Sequence, residues 1–244
     1  MLRVSLIMTT YNSRESFVQS YESIQRQTWP DIEVVVVDGA STDGTREEIE
    51  KRASKNLSMK WISEKDSGIY NALNKGIQMA TGDIIAIFND RYLREDAIEQ
   101  YARTIEEKRC DGVHSDLIYT DAQGNVIRRW HMGEGDIRTG WMPGHPTLYL
   151  KRQVYGKYGL YKEDYRCAAD YEFMVRILKD GKTKLAYIPE ELINMYYGGT
   201  SNSGIKAYMI SFMEGMRALR ENQVKGALRI TFRRMIKVLR QFHK

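Results

Sequence analysis

Two hydrophobic periods alternate along the first hundred residues. Val4–Thr9 is a short apolar run, and Ser13–Gln27 follows with Phe17, Tyr21 and Ile24 on one helical stripe. Ile32–Val37 is almost continuously aliphatic around Glu33, the pattern of a strand covered on both faces. Thr42 or Asp43 is placed to cap a helix running to about Ser54. Leu57–Ile62, Ser67–Ala80, Asp83–Phe88 and Asp96–Lys108 continue as strand, helix, strand and helix. Strand–helix repeated four times predicts an α/β fold with a doubly wound, mainly parallel sheet. Ligands of such sheets lie beyond the carboxyl ends of the strands. Here those ends are polar: Thr9-Thr10-Tyr11-Asn12, Asp38-Gly39-Ala40-Ser41, Glu64-Lys65-Asp66-Ser67-Gly68 and Asn89-Asp90.

After Gly112 the pattern changes. Val113–Tyr119 and Val126–Trp130 flank Asp121-Ala122-Gln123-Gly124, which predicts a hairpin. Gly133–Gly144 reads as a Gly-rich mobile loop, Thr147–Leu150 as a strand, and Lys151–Tyr158 and Ala168–Lys179 as helices. Leu185–Ile188 and Leu192–Tyr197 read as two short strands, and two helices broken near Asn222-Gln223 end the chain. The expected organisation is a domain over 1–202, with halves 1–110 and 111–202, and a basic helical extension over 203–244.

Composition narrows the class. With 42% hydrophobic and 28% charged residues in 244, the chain can bury a full core, which excludes disorder. No apolar run approaches the ~20 residues of a membrane span, and Met1–Ser5 leads straight into a strand rather than a signal peptide. Two cysteines, Cys110 and Cys167, form no disulfide framework and fit a reducing cytoplasm. The net charge of +5 is uneven: Arg217–Lys244 holds nine basic residues against Glu221, so the preceding residues net to −3. On Ala227–Phe242, Leu228, Phe232, Met235, Ile236, Leu239 and Phe242 recur at helical spacing among basic residues, as in a helix lying on an anionic membrane. A helix packed on its own domain or on a second copy of the chain gives the same pattern. Nucleic acid is disfavoured, because base-reading features are missing.

Single motifs are ambiguous. Asp38–Thr45 follows a strand and opens a helix, where a carboxylate can meet a ribose or base and the helix terminus an anion; Ser, Thr, Asp and Gly also make ordinary capped turns. It is neither a G-x-G-x-x-G fingerprint nor a P-loop. His114, His131 and His243 share no ligand spacing with each other or with the cysteines, so zinc is not supported.

Taken together, Val4–Asn12, Val35–Thr45, Glu64–Ile77 and Ala80–Asp83 resemble, in order and spacing, the family 2 inverting glycosyltransferases of GT-A fold. Weaker similarity continues in Gly144-His145-Pro146, in Ala168–Glu172 and in Gly198-Gly199-Thr200-Ser201-Asn202, and within the family it is to bacterial O-antigen, capsule and exopolysaccharide enzymes. The resemblance implies that Thr9 and Tyr11 line a uracil pocket, that Asp38 with Ser41 binds base or ribose, and that Asp66 and Lys75 complete the nucleotide site. Relatives end strand four with Asn-Ser-Asp-Asp, whereas this chain has Phe88-Asn89-Asp90-Arg91. Asp90 is then the ligand for Mn²⁺ or Mg²⁺, with Asn89 as helper and diphosphate oxygens and water completing the shell.

Asp170 matches the family's catalytic base and opens a helix whose terminus helps hold it ionised, although an N-cap would also be Asp. His145 falls in the acceptor-side loop as a substrate contact or a second metal ligand, and Trp141 offers a face to a sugar ring, with core roles as alternatives. The implied activity moves a hexose-type sugar, with inversion, from a nucleoside diphosphate donor, UDP-linked by preference, to a hydroxyl of a lipid-linked glycan at the inner face of the cell membrane. A catalytically inactive sugar-nucleotide-binding or scaffold protein is the alternative. A nucleotidyltransferase would need a Gly-rich, basic first loop, which Thr9-Thr10-Tyr11-Asn12 is not.

Overall fold

In the computed structural model, which describes residues 1–196 and 204–240, β1 (Val4–Thr10), β2 (Ile32–Asp38), β3 (Met59–Ser63) and β4 (Ile84–Ile87) lie parallel in the order β3-β2-β1-β4. Both faces of β1, β2 and β4 are covered, which is why their central residues are apolar on both sides of the sheet. Leu6, Met8 and Val36 face a core shared with Phe17, Tyr21 and Ile24 of α1 (Arg14–Gln25) and Ile49 of α2 (Thr45–Ala53). Ile7 and Val35 face the opposite core, with Tyr70, Leu73 and Ile77 of α3 (Ile69–Met79). Gly76 permits this approach, since a Cβ there would stand 2.4 Å from Ile7 Cγ2.

The chain then leaves β4 through β5 (Arg91–Tyr92) and α4 (Ala97–Lys108) into a mixed half-sheet. β6 (Gly112–Thr120) and β7 (Val126–Trp130) form the expected hairpin, and β8 (Tyr149–Lys151) is antiparallel to both β4 and β6, joining the halves. The two short strands expected near the end are one strand, β9 (Leu185–Tyr196), parallel to β6 and irregular opposite Asp116. The strand predicted from Thr147 starts later, because residues 145–147 make a 3₁₀ turn.

Gly133–Gly144 is a packed segment rather than an open loop. It contains a 3₁₀ turn with Ile137 buried, and Gly140 lies against the backbone of residues 230 and 234. α5 (Arg152–Tyr158) and α6 (Ala169–Leu178) cover the second core. α7 (Gly204–Glu221), α8 (Ala227–Arg240) and the link between them contribute Ala218, Leu219, Val224, Ala227 and Ile230 to that same core. A buried ion cluster ties them down: Glu172 pairs with Arg176 at 2.8 Å and Lys162 at 3.2 Å, and accepts the Asn222 side-chain N–H at 3.0 Å. The Gly198–Asn202 motif, Tyr197, Phe242, His243 and Lys244 lie outside the described residues.

Candidate active site

The strand register brings the polar exits together. Thr10 is opposite Asp38, and Asp38 is opposite Ser63, so the tips of β1, β2 and β3 are level. Tyr11 is 66% exposed, and a Cβ on Gly39 would lie 3.2 Å from its ring and 3.1 Å from Asp66 Oδ2. Tyr11, Gly39 and Asp66 therefore form one exposed edge. Asp38 is fully buried beneath it, accepting from Ser63 Oγ at 2.6 Å and from both the amide and hydroxyl of Ser41. Ser41 Oγ in turn accepts the Asn12 N–H at 2.8 Å, and Asn12 Oδ1 accepts the Thr42 N–H at 2.8 Å. In this conformation Asp38 shapes the loop, and a ribose or base must displace Ser41 to reach it.

The loops are held in left-handed backbone conformations at Asn12 (φ 46°) and Ala40 (φ 62°). Asn tolerates this region, whereas Ala at positive φ is strained by roughly 1–2 kcal/mol. Strain at Ala40 marks the crevice, and no propensity pattern exposes it. Asp43 accepts the first N–H of α1 at 3.1 Å and that of α2 at 3.1 Å, which fixes both helices to this loop. Lys75 projects from α3 to Glu64 at 2.6 Å, at the exit of β3.

Asn89 is occupied structurally. Its Oδ1 accepts the Thr9 N–H at 3.0 Å and its Nδ2 donates to Thr9 Oγ1 at 3.2 Å, stitching β1 to the end of β4. That leaves Asp90 as the free polar group of the exit. Asp90 is half-buried at the exit of β4. Burial pushes its carboxyl up to about 7, opposed only by Arg91. Such a carboxyl lacks a counter-charge, and a divalent cation would supply it; the residue fits a metal that takes its remaining ligands from diphosphate and water. Among the described residues, no three His, Cys, Asp or Glu gather as a metal cluster.

Asp170 is the second residue of α6, with Ala168 at the N-cap position, so the simple capping alternative does not apply. Its Oδ1 accepts the Tyr171 N–H at 2.8 Å and lies 3.4 Å from the Tyr70 hydroxyl. His145 faces it electrostatically and is held by Tyr161 through Nε2 at 2.8 Å; burial lowers the imidazole's proton affinity, partly offset by Asp170. The loop before α6 is anchored from α7, where Glu214 accepts the amides of Arg166, Cys167 and Ala168 at 2.7, 2.9 and 3.0 Å. The sequence gives no local sign of this anchor, because its partners lie 46–48 residues away. Asn74 and Asn71 of α3, quoted above only as motif, bind the loop around Tyr161 and Glu163 at 2.9–3.0 Å.

Asp170 and Trp141 line one cavity of about 480 Å³, with Trp130, His131, Arg234 and Lys237 among its other walls. Trp141 is fixed by its Nε1, which donates to Met132 O at 2.9 Å. His131 Nδ1 lies 2.9 Å from buried Asp116, which also accepts from Tyr187. His114 is buried between Tyr187 and Trp141, and burial brings it down to about 4, with Asp116 opposing. Glu172 turns away into its ion cluster, so it forms no acid pair with Asp170.

The mixed α/β sheet, parallel through β1–β4 and joined by β8 to a second half, is that of the GT-A fold. The family model described as glycosyl transferase family 2 matches residues 5–163, and the chain belongs to that family. It is a glycosyltransferase. A PGL/p-HBAD biosynthesis glycosyltransferase of Mycobacterium bovis is 30% identical over 209 residues, covering 82% of this chain and 79% of the relative. Chondroitin synthase of Escherichia coli is 26% identical over 190 residues, covering 74% of this chain but 27% of that protein. Among solved structures, S. aureus TarS 1-349 in complex with UDP-GlcNAc superposes with TM-score 0.72 at 18% identity, over 93% of this chain and 70% of the other. The mannosyltransferase PcManGT of Pyrobaculum calidifontis, in complex with GDP-Man and Mn²⁺, gives 0.66 at 18% identity over 98% and 75%. At these identities the solved structures establish the fold.

Proposed function

We propose that the protein transfers a hexose-type sugar, with inversion, from a UDP-linked donor to a hydroxyl of a lipid-linked glycan in bacterial surface polysaccharide synthesis. The observation that supports this reading is the gathering of Tyr11, Gly39 and Asp66 at one exposed edge, with Asp170 lining a cavity of its own. The UDP-GlcNAc complex of TarS supports the donor class.

Tyr11 stacks on the base, and Ser41 with Asp38 meets the ribose. Asp90 would hold Mn²⁺ or Mg²⁺, which neutralises charge on the departing diphosphate. Asp170 takes the acceptor proton as the new C–O bond forms, while the old anomeric C–O bond breaks with its electron pair on the diphosphate. His145 and Trp141 are placed on the acceptor side, and Lys75 must release Glu64 to reach the donor.

Leu228 and Phe232 on α8 are 62% and 58% exposed, and Met235, with Met209 and Met213 of α7, is exposed as well. Arg229 and Arg233 border them, which supports docking on an anionic membrane at the cytoplasmic face. No described helix is long and apolar enough to cross a membrane. The single carboxylate at the β4 exit favours a second reading, a sugar-nucleotide-binding protein without turnover. Titration of UDP with and without Mn²⁺, followed by a sugar-nucleotide panel assayed for diphosphate release, separates them. Metal-enhanced binding with release of UDP is expected, and binding without release from any donor would leave the second reading.

A further inference from the structure

Arg234 of α8 stands in the wall of the Asp170 cavity without a counter-charge. Its guanidinium centre lies 3.9 Å from the centroid of the Tyr171 ring, and Nη1 lies 3.9 Å from Met142 Sδ. Lys237, one turn on, lines the same cavity. Among the described residues, no ion pair within 4.0 Å involves either, in contrast to Arg176 and Arg217 nearby. The half-buried cations Arg217, Lys162 and Arg176 each have a carboxylate: Arg217 has Asp164 and Glu221, Lys162 has Glu172 and Glu221, and Arg176 has Glu172. Fold stability therefore accounts for those three and leaves Arg234 unexplained.

A half-buried guanidinium gives up hydration, so keeping it unpaired costs stability unless something else answers it. Stacking on Tyr171 fixes the plane of its fork, the geometry that grips an oxyanion through two parallel N–H bonds. Tyr171 is the residue after Asp170, so proton acceptor and cation address the same bound molecule. Trp141 and Trp130 add ring faces suited to a sugar. None of Tyr11, Asp38, Asp66 or Asp90 is among the residues that line this cavity.

We propose that Arg234, assisted by Lys237, forms an anion subsite for a phosphoryl or carboxylate group carried by the acceptor sugar. This rests on the transferase reading only in calling the molecule an acceptor.

The test titrates the full chain, saturated with UDP to fill the donor site, with glucose 1-phosphate, methyl glucuronide and methyl glucoside. At least one anionic sugar is expected to bind about tenfold tighter than the neutral one, and which of the two does so identifies the anion. Raising ionic strength to roughly 0.5 M should erase the preference. Arg234→Met should abolish it while leaving UDP affinity intact, and Lys237→Ala should reduce it about threefold, within the usual range for an exposed charge. Because Lys237 is exposed, its variant keeps the test decisive if Arg234→Met unfolds. Equal binding of the three sugars, or a preference that survives both substitutions, overturns the subsite. A preference seen only without UDP also overturns it, by assigning the cations to the donor diphosphate. A wild-type chain that ignores UDP but keeps the preference would sink the transferase reading and leave the subsite standing.

Discussion

Glu33 and Asp90 are carboxyls at opposite ends of one sheet, and their surroundings could hardly differ more. Glu33 sits in β2 level with Ser5 of β1, fully buried at the amino end. Burial alone would raise its proton affinity, but Lys60 at 2.8 Å, Ser5 at 2.5 Å and both donors of Thr81 at 2.6 and 2.7 Å outweigh it, bringing the group to about 2. Asp90, at the carboxyl edge, has no such donors and is pushed to about 7. A saturated carboxylate holds the fold together, and one left wanting a positive charge is available to a ligand. Asp170 likewise has few donors, the adjacent Tyr171 amide at 2.8 Å and the Tyr70 hydroxyl at 3.4 Å.

The contrast can be broken from either end. Asp170→Asn keeps shape and removes the proton acceptor, so transfer should fall about 10³-fold or more while UDP affinity stays unchanged, measured by turnover and titration. Full turnover in that variant would remove Asp170 from the role. Glu33→Ala leaves Ser5 and Thr81 without their acceptor and should cost about 3 kcal/mol in urea unfolding, with UDP affinity unchanged in the folded fraction.

The pH dependence has a defined sign. Because Glu33 is held below its usual value of 4.5, its contribution is complete above about pH 4.5 and drains away as pH falls toward about 2. Glu33→Gln should flatten that limb of the stability curve.

Asp90→Asn should act oppositely. The raised carboxyl penalises the native state increasingly as pH rises from 3.8 to about 7. Since the half-exposed group keeps part of its hydration, the metal-free variant should gain about 1 kcal/mol at pH 8 and lose the effect of Mn²⁺ on UDP binding. Destabilisation at pH 8 would show that Asp90 is already paired. Smallest of all, Gly39→Ala pushes a methyl toward Tyr11 and Asp66 at 3.1–3.2 Å, and should weaken UDP binding about threefold, under 1 kcal/mol by titration.

Much of the nucleotide half was legible because its strands and helices carry clean periods, and Thr9, Tyr11, Asp38 and Ser41 fall at strand tips that the register then aligned. The acceptor half was less legible. One strand read as two because Pro189 and two glutamates interrupt its hydrophobic run, yet pairing with β6 carries it through. Asn89 read as a metal helper, whereas its amide spans β1 and β4 in a contact 80 residues apart. Glu214 and Arg234 left no local signal, because what distinguishes them is the company they keep: three loop amides in one case, an aromatic face and an open cavity in the other.

Hydrophobic period, strand-tip polarity and the motif run determined the parallel half-sheet, the family and the polar edge at the strand tips, since each depends on neighbours within a few residues. Tertiary packing alone decided which carboxyls are spent and which are free. The charge state of a buried acid is set by burial and by donors that arrive from distant segments: Thr81 and Lys60 outweigh burial for Glu33, whereas burial prevails for Asp90.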